Sequence, residues 1–149
     1  MLYVVRQCRG SAVNDDTNYE YEVSLRMEHP SMHPSFMTAA LALEPRIAWS
    51  VGEPKRDRSG AVVPGEREQT YWLHSFGEGR GDLASFLLEV LSRLEPHAAF
   101  LRELRHTEGR LELMIGYFID APNTHVALDP DLMARCAALG VHLYLDIYA

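Results

Sequence analysis

Between residues 19 and 28 apolar and polar positions alternate without a break. Tyr19, Tyr21, Val23, Leu25 and Met27 fall on one side, and Glu20, Glu22, Ser24, Arg26 and Glu28 on the other. A period of two describes a strand with one buried and one wet face. Upstream, residues 2–8 read as a first strand and 10–18 as a polar turn region. Downstream, His33 precedes Pro34, which suits the first position of a helix. That helix carries Phe36, Met37, Ala40, Leu41 and Leu43 and must stop before Pro45. Residues 46–51 form a short strand with Ile47, Trp49 and Val51 on one side.

The stretch 52–69 has neither period and is rich in charge, Gly and Pro, so it reads as a long mobile loop, with room for a hairpin through Ala61 to Val63. Residues 70–76 return to a strand with Trp72, His74 and Phe76 on one face. Gly77 to Gly81 read as a loop leading to Asp82, a good N-cap. Leu83, Phe86, Leu87, Val90, Leu91 and Leu94 then follow the helical period. Pro96 ends that helix and opens another bearing Phe100, Leu101 and Leu104. Residues 110–120 are a strand with Leu111, Leu113, Ile115, Tyr117 and Ile119 on one face. Asp129 and Pro130 open a last helix, Gly140 ends it, and 141–148 are a strand.

The segment His33-Pro34-Ser35-Phe36-Met37 through Leu43 matches Asp129-Pro130-Asp131-Leu132-Met133 through Leu139 in its Pro, Met, Ala and Leu positions. Two strand–helix–strand units around a middle helical pair account for that repeat. Together these patterns predict one α+β domain over residues 1–149. Its two layers are a mixed or antiparallel sheet of about five or six strands and helices mainly on one face.

Composition narrows the functional classes. The 149 residues are 47% hydrophobic and 23% charged, an ordinary soluble balance. No apolar run reaches the length of a membrane span, so no membrane partner is expected. Asp and Glu outnumber Lys and Arg 21 to 14, for a net charge of -7, which argues against a nucleic-acid partner. Cys8 and Cys136 form no framework and read as reduced thiols in a cytoplasm, Cys136 as a small core residue. Lys55 is the sole lysine against 13 arginines, a skew that suggests a high-GC bacterial genome.

The residues near the end of the sequence are the most specific. Leu128-Asp129-Pro130 opens the last helix, and Ala138-Leu139-Gly140-Val141 leads into Leu143-Tyr144-Leu145-Asp146-Ile147-Tyr148. With Trp72, the Asp82–Leu94 helix and the early His33-Pro34 helix, this resembles the bacterial family known as domain of unknown function 4279, from about Glu20 onward. The resemblance implies a small α/β domain and carries no catalytic residues to transfer.

The chemistry therefore rests on the residues. Val141, Leu143, Leu145 and Ile147 point one way along the last strand, and His142, Tyr144, Asp146 and Tyr148 the other. Joined by Trp72 and His74 from the earlier strand, they make a candidate binding platform of aromatic and ionisable groups. Glu22, Ser24, Arg26, Glu112, Met114 and Phe118 belong to the same face. Aromatics on an open sheet also suit RNA, but the neighbouring carboxylates repel phosphate. The Gly77–Gly81 run matches no phosphate-loop spacing, and no HExxH or GxSxG motif is present.

We therefore expect a non-catalytic binding module with no cofactor and no metal. A basic protein suits its charge as partner, as a toxin suits its immunity protein. The alternative is a small metal-dependent or hydrolytic enzyme built on His74, His142 and Asp146. A third class is a homodimer burying the same face. Asp146 is expected to accept hydrogen bonds from a neighbouring Arg, His or Tyr, the other role being the polar anchor of a ligand site.

Overall fold

The computed structural model describes residues 19–119 and 125–148. The predicted strand over 2–8 lies outside them, as does Cys8. The first element is β1 (Tyr19–His29), whose alternation is buried on the Tyr21, Val23, Leu25 and Met27 side. Helix α1 (Pro34–Leu41) follows, capped by the His33 ring nitrogen accepting from the Ser35 amide. Next come β2 (Ile47–Trp49), a hairpin of β3 (Pro54–Arg56) and β4 (Val62–Glu66), and β5 (Thr70–Arg80). Helix α2 (Leu83–Leu94) runs through a single 3-10 turn into α3 (Ala98–His106). Then come β6 (Arg110–Ile119), α4 (Pro130–Leu139) and β7 (His142–Tyr148).

Five strands form one mixed sheet in the order β2-β5-β1-β6-β7. β1 is antiparallel to both β5 and β6, β5 is antiparallel to β2, and β6 is parallel to β7. Consequently β1 and β2 run the same way with β5 between them, and β5 and β6 run the same way with β1 between them. That is the split βαβ arrangement of ferredoxin-like folds, here with α4 and β7 added beside β6. The repeat seen in the sequence corresponds to β1–α1–β2 and β6–α4–β7, flanking the α2–α3 pair. α1 and α4 share a side-chain N-cap, a proline in the first turn and a left-handed C-cap, Ala42 and Gly140 respectively.

All four α-helices cover one face of the sheet. Under them lie Leu25, Met27, Trp72, Leu113 and Ile115, all sealed from solvent, with Leu87, Leu91, Leu101, Leu104 and Leu132 packed from above. Cys136 is buried among them, which raises its thiol pKa by desolvation.

The hairpin offered within 52–69 is longer than Ala61 to Val63, and the Gly77–Gly81 loop is corrected. Residues 52–69 carry a two-stranded hairpin that extends the β2–β5 ribbon, through Gly52 N–H donating to Arg67 O and Arg67 N–H to Glu53 O at 2.8 Å each. Its turn is closed by Asp57, whose carboxylate accepts from the Ser59 and Ala61 amides. Gly77 to Arg80 are strand rather than loop, pairing with Val23 to Glu20 beyond a bulge. Gly77 takes a positive φ of 105° at that bulge, and Gly79 lies under the Tyr21 ring, so this glycine run serves close packing inside the sheet.

Candidate functional site

Among the described residues, no helix lies over the opposite face of the sheet. Strand register decides which side chains meet there. Trp49 pairs with Tyr71, Tyr71 with Glu28, and Glu28 with Arg110. In the next row Arg26 pairs with Glu112 and Glu112 with His142. Beyond it come Ser24, Met114 and Tyr144, then Glu22, Gly116 and Asp146, then Glu20, Phe118 and Tyr148.

Glu112 is the electrostatic centre. It is 1% exposed, and it accepts from Arg26 Nε at 2.6 Å and from Arg110 Nη2 at 2.7 Å. Burial alone lowers the Arg26 pKa, but the Glu112 carboxylate outweighs that and holds the guanidinium charged. The Arg26 guanidinium carbon lies 5.6 Å from the centroid of the Tyr144 ring. On its other side Arg26 reaches Tyr71, whose phenol pKa is raised by burial. Tyr71 stacks on Trp49 at 4.3 Å, and Arg67 sits 3.9 Å over the indole. Cations and rings thus alternate across the sheet from the base of the hairpin to β7. These groups brace that end of the face, although the buried Nε of Arg67 has no hydrogen-bond partner among the described residues.

The other end is open. The rings of Phe118 and Tyr148 stack at 4.9 Å and lean over Gly116. Because Gly116 has no side chain, a depression of about 330 Å³ opens beside them, lined by Ser24, Leu73, Met114, Ile47, Glu22, Arg46 and Asp146. Arg46 pairs with Glu22 at 3.1 Å. Asp146 is exposed and, among the described residues, has no hydrogen bond or ion pair. The expected structural hydrogen bond to Asp146 is therefore not formed within the described chain.

Of the six sequence-derived site residues, His142, Tyr144, Asp146 and Tyr148 share this face. Trp72 and His74 do not, which corrects the expected platform. Trp72 pairs with Met27 and His74 with Leu25, so both point under the helices. The Trp72 indole N–H donates to Thr38 Oγ1 on α1 at 3.0 Å, and His74 Nδ1 donates to the Glu44 carbonyl at 2.6 Å. His74 and His142 are on opposite sides of the sheet, so the trio of His74, His142 and Asp146 never converges. Among the described residues no group of three or more His, Cys, Asp or Glu can hold a metal ion.

Trp49, Tyr71 and Arg67 belong to the face and were not assigned to it from the sequence. The signal was the alternate phase of β5. Once Trp72 is covered, Tyr71, Leu73 and Ser75 must be open.

A larger groove of about 570 Å³ lies on the helical side between α1 and α3. Its polar groups are engaged. His29 accepts from the Ser31 and Met32 amides and meets Thr107 Oγ1, while His33 caps α1.

Fold and face define a small α+β domain with one covered and one open sheet surface. The chain belongs to the family described as domain of unknown function 4279, which matches residues 19–149. No curated protein and no solved structure matches it. Among the described residues no helix is long and apolar enough to cross a membrane.

Proposed function

We propose that the open face is the binding surface of a non-catalytic protein-interaction module, and that it receives a basic side chain from a protein partner. The observation that carries this reading is Asp146, an exposed carboxylate without a partner among the described residues, beside a stacked pair of rings at the rim of a depression. A guanidinium or ammonium group entering there gains the carboxylate as counter-ion and a ring face as platform. Arg46 already holds Glu22 nearby in an exposed pair. Such a pair contributes about 1 kcal/mol or less, so an incoming cation can replace it. The net charge of -7 adds long-range attraction for a basic partner, the situation of an immunity protein facing its toxin. The enzyme reading loses its support, because its three residues lie on two faces.

A short arginine-rich peptide is the probe. Amide shifts on titration are expected at Glu22, Met114, Gly116 and Asp146. Asp146→Lys should weaken binding at least tenfold with an unchanged melting curve, and added salt should weaken binding by the parent. Shifts confined to α1–α4, or full binding by Asp146→Lys, would overturn the proposal.

A further inference from the structure

Strand β7 ends the five-stranded sheet, so among the described residues one whole side of its backbone is unpaired. Natural sheets blunt such edges with short strands, bulges, prolines or charged side chains, lysine above all. The opposite edge conforms, since β2 is three residues long. β7 is protected by a single charge, Asp146. Its seven residues run beside β6 with no register shift, and HLYLDIY contains neither proline nor lysine.

We infer that β7 is the interface for a second copy of this chain, joined antiparallel through a two-fold axis at Leu145. The strand's own sequence supplies the argument, because it is complementary to itself read backwards about that residue. On the helical side Leu145 meets Leu145 of the second copy, and Leu143 meets Ile147. On the open side Tyr144 meets Asp146, and His142 meets Tyr148. Each pair joins groups that suit each other at the 4.5–5.5 Å Cβ spacing of directly opposed residues. Ile147, 61% exposed in the single chain, gains an aliphatic neighbour. Asp146, which has no partner within the described chain, gains a tyrosine hydroxyl as donor. A one-residue slip of register would put aliphatic residues opposite polar ones at every pair. A two-fold axis satisfies both copies with the same contacts, the commonest solution for homo-oligomers. The two sheets become one, with both open faces on the same side and still uncovered. The Asp146 carboxylate has acceptor sites left for a cation after receiving the tyrosine proton.

The inference goes beyond the binding role and shares Asp146 with it, but its tests use Leu145 and Ile147, which face away from the depression, so the two can fail separately. Sedimentation of the full chain over a wide concentration range should show monomers converting to dimers, without the weakening by salt expected of peptide binding. Ile147→Lys should raise the dissociation constant at least tenfold while melting like the parent. In a Cys8→Ser background, Leu145→Cys should cross-link to itself on mild oxidation, because the paired backbones approach within disulfide range. Tyr148→Cys should not, being three residues from the axis and so about 20 Å from its own copy. A monomer at every concentration would overturn the inference. So would a dimer untouched by Ile147→Lys, or one that cross-links through residue 148 and not through 145.

Discussion

A carboxylate sealed between two arginines is safe only while both remain. Glu112 is 1% exposed and holds Arg26 and Arg110. Removing one member of such a set leaves desolvated charge without compensation. Arg26→Ala, which leaves the buried carboxylate with Arg110 alone, should therefore cost about 2–3 kcal/mol in urea melts, while Glu112→Gln, which still accepts a hydrogen bond and leaves only part-exposed arginines, should cost less. His29 makes the residue-scale case for pH. It is 3% exposed, and its Nδ1 accepts two backbone amides, which leaves Nε2 to donate to Thr107 Oγ1. Burial holds its pKa below the ordinary 6.5, so the unfolded chain binds the proton more readily. Stability from this group is complete above about pH 6.5 and falls as pH drops below that value toward the folded pKa. His29→Gln should flatten the dependence of stability on pH between about 7 and 5 relative to the parent. The other six histidines are common to both proteins and cancel in the difference. An equal slope in the two proteins would refute this. At this scale the sequence was legible where one residue type has one role, as with Asp82 and Asp129 as N-caps. It was not legible for Trp72 and His74, because two aromatic-rich phases of β5 compete and only strand register tells them apart.

Elements were read more readily than faces. Strand β1, all four helices and the end residues Asp82, Asp129 and Gly140 follow from period and punctuation, since the buried stripe of a helix and such end residues are local properties, whereas α1 stops at Leu41, short of the Leu43 that its pattern suggested. Pairing is not local, which is why the hairpin over 52–69 was read only as an option through Ala61 to Val63, and why the last residues of β5 were read as a loop. A Gly-Glu-Gly-Arg-Gly run is as good a loop as a strand until a partner is known. In the fold that run has a specific use. A Cβ on Gly79 would stand 2.6 Å from the Tyr21 hydroxyl, with the ring of Tyr21 buried and unable to retreat. Gly79→Ala should cost about 1–3 kcal/mol through overpacking. Combined with Tyr21→Ala, which clears the space, it should cost much less than it does alone. Urea melts of the two single variants and the double variant form the cycle. Additive losses would mean that the ring does not constrain this position.

At the scale of the whole molecule, the described residues divide into a split βαβ core, a peripheral ribbon and an added α4–β7 unit, and these should respond differently to deletion. The ribbon's strands β3 and β4 contain no buried residue. Replacing residues 54–66 with a short glycine turn should shift stability by about 1 kcal/mol or less and leave a single cooperative transition, as for surface changes in general. The added unit contrasts with this. Leu132, Cys136, Leu139 and Val141 are all buried, and Leu143 and Leu145 pack against the core. Burying an aliphatic side chain contributes roughly 1.5–3 kcal/mol, so these groups together approach the roughly 5–15 kcal/mol by which a whole domain is stable. Without them β6 becomes the sheet edge, and α2 and α3 lose the helix packed beside them. A chain ending after Leu128 should lose its cooperative urea transition and bind a hydrophobic dye, while the ribbon deletion does neither. If the shortened chain unfolds cooperatively near the parent's midpoint, the split βαβ core is self-sufficient and α4–β7 adds only the face and edge that β7 carries.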